Sequence, residues 1–177
     1  MSTELPQRQQ PRHGKGRITI VCATYNEKYT DALLQNCLDE LEAVAPLVRV
    51  SVVRVPGAFE VPLMVKRSIC GPGVSDDNRP DAVIALGVIL RGSTAHADLI
   101  GSSITQQLMS IGCDTLVPVI HEVLLLNDEQ QAFARCIAST LNRGREAARA
   151  AVAMLEVIDA PRVGPLRHSP PRRGTGF

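Results

Sequence analysis

The feature that most constrains this 177-residue chain is an alternation of short, β-branched apolar runs with longer segments of helical spacing. The run 17–24 (RITIVCAT) has the length and composition of a buried strand, 48–55 and 116–125 read as further strands, and 81–90 is the most continuously apolar strand of all. Between and after them, apolar residues recur at helical intervals over 31–45, 60–69, 96–111, 128–141 and 145–158. Leu33, Leu34, Leu38 and Leu41 mark the first of these helices. The stretch 71–80 is a polar loop rich in turn residues. Strands that alternate with helices of this length form βαβ units and a parallel sheet covered on both faces. The expected fold is therefore α/β: a three-layer αβα sandwich of flavodoxin-like kind, built on a four-stranded parallel sheet. The aromatic content of 3%, with no Trp, leaves Val, Ile, Leu and Ala to fill such a core.

One domain is expected over 17–159. The flanks, 1–16 and 160–177, are rich in Pro, Arg and Gln or Gly and read as flexible arms. A net charge of +1 without a basic face argues against nucleic-acid binding by the domain. The N-terminal stretch has no apolar core of a secretory signal, and no apolar run approaches the ~18 residues of a membrane span. A soluble cytoplasmic protein is expected. Cys22, Cys37, Cys70, Cys113 and Cys136 are scattered in apolar surroundings and read as buried free thiols of a reducing compartment.

Ligands of open parallel sheets bind outside the carboxyl ends of the strands. Four polar groups are assigned to that rim: Tyr25-Asn26-Glu27 after the first strand, 56–60 (PGAFE) after the second, 91–96 (RGSTAH) after the third, and His121-Glu122 after the fourth. Gly92-Ser93-Thr94 leads into a helix, so its backbone N–H groups and hydroxyls offer a site for an anion, although an ordinary helix cap would look the same. His96 lies in the first helical turn, where the positive helix end favours the neutral imidazole that proton transfer requires. Glu60 at a helix start and Tyr25 at a sheet edge also have purely structural readings. No metal-ligand spacing, Walker loop or G-x-G-x-x-G occurs. Cys136, in mid-helix, reads as buried and unreactive.

Taken together these segments resemble the lumazine synthase family. The likeness is carried by 55–62 (VPGAFEVP), 85–96 (ALGVILRGSTAH), 129–135 (EQQAFAR), 142–144 (NRG) and Tyr25-Asn26. It runs over about 17–157 in matching order. The resemblance implies condensation of 5-amino-6-ribitylaminouracil with 3,4-dihydroxy-2-butanone 4-phosphate, without cofactor or metal, to give 6,7-dimethyl-8-ribityllumazine. By the same resemblance Tyr25 stacks on the uracil, with Asn26 beside it, and Ala58, Phe59 and Glu60 line the pocket, Glu60 bonding the ribityl chain. Val88, Ile89 and Leu90 contact the pyrimidine through their backbone. Ser93 and Thr94 cradle the phosphate, His96 is the general acid/base, and Arg135 pairs with the phosphate. The resemblance also implies a homo-oligomer based on pentamers, which some members extend into a hollow shell, with His121 and Arg135 reaching in from the adjacent subunit.

His121-Glu122 departs from the Phe-Gly usual in the family, and the stretch between Arg135 and Gly144 lacks its glycines. The substitution motivates a second reading, a non-catalytic paralogue that binds lumazine or flavin or forms shells. A third, a flavodoxin-like binding or signalling module, needs a phosphate loop after the first strand, and Thr24-Tyr25-Asn26-Glu27 is not one.

Overall fold

A computed structural model describes residues 7–8, 10–12 and 14–160. Four strands, β1 (Gly16–Ala23), β2 (Val48–Val55), β3 (Ala82–Leu90) and β4 (Val119–Leu126), pair in the order β2-β1-β3-β4, every neighbour parallel. Helices α1 (Glu27–Val44) and α5 (Arg143–Asp159) pack together on one face. Helices α2 (Val61–Cys70) and α3 (His96–Thr115) cover the other. Strand alternation divides the core in two. Ile18, Ile20 and Cys22 join Ile84 and Leu86 beneath α1 and α5. Val21 and Ala23 join Val83 and Ala85 beneath α2 and α3. This is the three-layer αβα sandwich expected from the alternation, with β1 and β3 buried at its centre and β2 exposed along most of its length.

Three departures from the sequence reading bear on the site. The fourth strand begins at Val119, after Pro118, which has no N–H for the ladder. The helix expected over 128–141 is a four-residue α4 (Glu129–Ala132) that widens into a π-helical turn, Phe133–Ile137, and stops there. Buried Asn142 then caps α5, accepting from the Gly144 and Arg145 N–H groups and donating to the Cys136 and Ala138 carbonyls. Finally, Cys22, Cys37 and Cys136 are buried free thiols, but Cys70 and Cys113 are exposed, on the outer faces of α2 and α3. Amphipathic helices place residues of any polarity outward, and cysteine composition alone does not report the face.

Within 1–16, two arginines contact the domain. Arg8 and Arg149 both pair with buried Glu40 on α1, and Arg12 pairs with Asp159 at the end of α5. The tail 160–177 read as an arm lies, apart from Ala160, outside the described residues. Among the described residues no helix is long and apolar enough to cross a membrane.

Candidate active site

At the carboxyl ends of β1, β2 and β3 the loops enclose a cavity of about 650 Å3. Its floor is Val88, Ile89 and Leu90, the last turn-out of β3, and its walls are the loops that follow. The β1 loop is fixed by three backbone and side-chain contacts. Thr24 N–H donates to Val55 O and Tyr25 N–H to Pro56 O, locking it to the β2 loop. Asn26 takes the left-handed conformation (φ 62°), which asparagine tolerates better than most residues, and its Nδ2 donates to Val88 O at 2.8 Å. The result holds the Tyr25 ring 73% exposed at the mouth, across from Phe59, itself 62% exposed. Two large rings left in solvent beside a cavity are an invitation to a planar ligand.

Glu60 closes its own turn: its Oε2 accepts from Gly57 N–H at 2.9 Å. That contact shapes the loop, and Glu60 does not itself line the cavity, whereas Gly57, Ala58 and Phe59 do. After β3, Arg91 donates to Asp98 in the first turn of α3 and to Asn127 beyond β4, so the loop carrying Gly92-Ser93-Thr94 is tied at both ends. Ser93 and Thr94 do not cap α3. Ala95 holds that position without a side-chain bond, and Thr94 Oγ1 only reaches His96 N at 3.5 Å. The first-turn amides of a 20-residue helix therefore lack a side-chain cap beside the cavity, as an anion site requires. Thr94 and His96 both line the cavity, and Ser93 stands exposed at its edge.

Sequence reasoning missed Ala97 and Ile100 as lining residues. The signal was present, since 96, 97 and 100 share one helical face, but apolar helix residues read first as core.

His121 and Glu122 correct the rim assignment. They lie inside β4, in register with Ala85 and Leu86, whereas the cavity floor of β3 pairs with Leu124–Leu126. At about 3.3 Å per residue, His121 is ~10 Å short of the rim. Its ring is held within its own chain. Nδ1 accepts from Val123 N–H at 3.1 Å, so Nε2 carries the proton and donates to Thr105 Oγ1 at 2.8 Å, while Thr105 donates to Gly101 O. Burial pushes its pKa down. Glu122 points to the opposite layer, away from the cavity. Burial drives its carboxyl up to about 7 against the opposing pull of Arg143 and Arg135. Arg135, on the π turn, is also outside this chain's cavity, and its buried Nη1 has no hydrogen-bond partner among the described residues. The thiols of Cys22 and Cys136 are pushed up to about 11 and 12 by burial, which leaves both unreactive.

Residues 15–159 match the family model described as 6,7-dimethyl-8-ribityllumazine synthase. The chain is 38% identical over 146 residues to the 6,7-dimethyl-8-ribityllumazine synthase of Thermococcus gammatolerans, covering 82% of this chain and 90% of the relative. It is 34% identical over 148 residues to that of Edwardsiella ictaluri (82% and 91% covered) and 37% over 142 residues to that of Nitrobacter hamburgensis (80% and 85%).

Proposed function

The chain belongs to the 6,7-dimethyl-8-ribityllumazine synthase family, transferases of riboflavin biosynthesis, and from that premise we propose the reaction and the residues that carry it. The protein condenses 5-amino-6-ribitylaminouracil with 3,4-dihydroxy-2-butanone 4-phosphate. The uracil's amine attacks the ketone and forms a Schiff base with loss of water. Phosphate is eliminated, and ring closure with loss of a second water gives 6,7-dimethyl-8-ribityllumazine. The observation that carries this reading is the single cavity in which exposed Tyr25 and Phe59, the Gly92–Thr94 loop and His96 converge.

The pyrimidine stacks on Tyr25 and reads the backbone of Val88, Ile89 and Leu90. Asn26 orders that wall, and Ala58 and Phe59 form the facing one. Glu60 holds the turn through Oε2, which leaves Oε1 for the ribityl hydroxyls. Ser93 and Thr94 offer hydroxyls and uncapped amides to the phosphate. His96 moves protons at the amine and at the carbons that lose phosphate and water, a role worth about 10²–10⁴-fold. Holding two substrates together supplies much of the remainder. No cofactor takes part in this scheme. Arg135 supplies a bidentate donor to the phosphate, and His121 takes the position where the family carries Phe.

Neither of those two side chains lines its own chain's cavity, which supports a site shared between copies in a pentamer-based homo-oligomer. Exposed Leu63, Leu99, Met109 and Leu116 supply apolar surface for that assembly. The proposed setting is cytoplasmic, with small-molecule substrates and neither nucleic acid nor membrane as partner.

The test is product formation, followed by absorbance and fluorescence, when purified protein meets both substrates. Turnover supports the synthase. Saturable binding of the lumazine or of riboflavin without turnover moves the case to the non-catalytic paralogue.

A further inference from the structure

The amides offered to the substrate phosphate share the start of α3 with a carboxylate. Asp98 is the third residue of that helix and the acidic residue of its first turn. From the third position an acidic side chain can reach back to the amide at the helix start, as in a capping box. A carboxylate left alone there also offsets the positive helix end that favours a bound anion. Either effect sets Asp98 in competition with a phosphate. In this chain the carboxylate is engaged elsewhere. Asp98 Oδ1 accepts from Arg91 Nε at 3.1 Å and from Nη2 of the same guanidinium, and from no amide of the first turn among the described residues. The guanidinium is itself placed by the fold. Arg91 N–H donates to Leu126 O, which extends the pairing of β3 with β4, and Nη1 donates to Asn127 Oδ1 in the turn after β4. Asn127 is fixed in turn, since its N–H donates to Gln131 Oε1 in α4. Every nitrogen of the guanidinium therefore has a partner within the chain. Neither Arg91 nor Asp98 lines the cavity, although their chain neighbours Leu90, Gly92 and Ala97 do.

We propose that Arg91 is a positioning residue for the phosphate subsite: it engages Asp98 and so leaves the uncapped amides and the positive end of α3 to the substrate phosphate. The proposal rests on the reading in which the Gly92–Thr94 loop binds that phosphate. The two side chains are 44% and 51% exposed, so solvent screens the pair and the effect is modest. Its direction is nonetheless specific. Loss of Arg91 leaves an unanswered carboxylate beside the anion, whereas loss of the Asp98 charge removes the competitor itself. A strut that only tied the loop to α3 would fail alike when either end was cut.

The experiment measures KM for both substrates in the wild-type chain, Arg91→Gln, Asp98→Asn and the double variant, at low ionic strength, where the pair is least screened. With Arg91→Gln the KM for dihydroxybutanone phosphate rises about fivefold, the upper end for one charge at a helix start, and the KM for the pyrimidine stays within about twofold. Asp98→Asn leaves the first KM equal or lower. The double variant lies closer to wild type than to Arg91→Gln. An unchanged KM in Arg91→Gln, a rise in Asp98→Asn, a double variant as impaired as Arg91→Gln, or a parallel rise in both KM values overturns the proposal. If Arg91→Gln does not fold, Asp98→Asn alone decides by its direction. Calorimetric titration with inorganic phosphate repeats the comparison without turnover. Phosphate binding weakened by Arg91→Gln and restored by adding Asp98→Asn, in a protein that makes no product, sinks the synthase reading and keeps this one. Phosphate binding that is absent, or equal throughout the series, sinks this one.

Discussion

The polar and aromatic side chains that line the cavity come from the loops and the helix start at one sheet edge. Tyr25, Asn26, Ala58, Phe59, Thr94 and His96 all stand within a few residues of Pro-Gly, Gly-Ser or the end of an apolar run, and all line one cavity. His121-Glu122 interrupts an apolar run that continues to Leu126, and no local rule says that a His-Glu pair sits mid-strand with one side chain on each face. Glu40 is a second residue that spacing alone does not reveal: an acidic position on α1, only 2% exposed, held by Arg149 and by Arg8 from far along the chain. The hydrogen bond from Arg8, joined by that from Arg149 and against the opposing effect of burial, lowers its pKa from the ordinary carboxylate value to about 2. Because the folded value lies below the unfolded one, this carboxylate contributes stability above about pH 4.5, and the contribution is lost as pH falls toward 2. Glu40→Gln costs about 2 kcal/mol at pH 7 by chemical denaturation, the scale of a hydrogen bond to a charged group, and the difference from wild type closes below pH 3. A neutral-pH difference that persists unchanged at pH 2.5 contradicts the assignment.

At the scale of elements, helix and strand identity followed from periodicity, and the boundaries followed from chemistry that periodicity does not carry. The 128–141 segment keeps a helical rhythm through Ala132, Cys136 and Ile137, yet its hydrogen bonds widen to the π spacing and end before Asn142. That break lets Asn142 turn inward and start α5 against α1. The packing is close enough that a Cβ on Gly144 would stand 2.2 Å from Leu33 O. Real side-chain carbons do not approach a backbone oxygen that closely, so Gly144→Ala forces α5 away from α1. A loss of about 2–3 kcal/mol follows, roughly 5–10 °C in Tm. Gly112→Ala in α3, where the added carbon meets nothing nearer than 3.5 Å, leaves Tm unchanged or raises it slightly. Equal losses at both glycines would show that helix packing at Gly144 is looser than this.

For the whole molecule, the alternation of elements carried the architecture, because a parallel four-stranded sheet with helices on both faces buries the central β1 and β3 and the apolar helix faces at once, and leaves β2 exposed at the edge. What the single chain does not supply is equally physical. Its cavity is open, with Tyr25, Phe59 and His96 all exposed, and the two remaining residues assigned to the site by family likeness lie elsewhere on the fold. Assembly into pentamers, or multiples of five, follows from the shared-site proposal. Light scattering coupled to size exclusion will give a mass near five times 19.1 kDa or a multiple of it. A monomer that turns over both substrates at an ordinary rate would show the site complete in one chain.

The central claim is that His96, at the start of α3, moves protons for a condensation carried out in this cavity. The most direct measurement is kcat for lumazine formation by the wild-type chain and by His96→Ala, with both substrates saturating and the variant's folding checked by its Tm. The account predicts a fall of about 10²–10⁴-fold in kcat with Tm unchanged. A folded His96→Ala variant that keeps the wild-type kcat would contradict it.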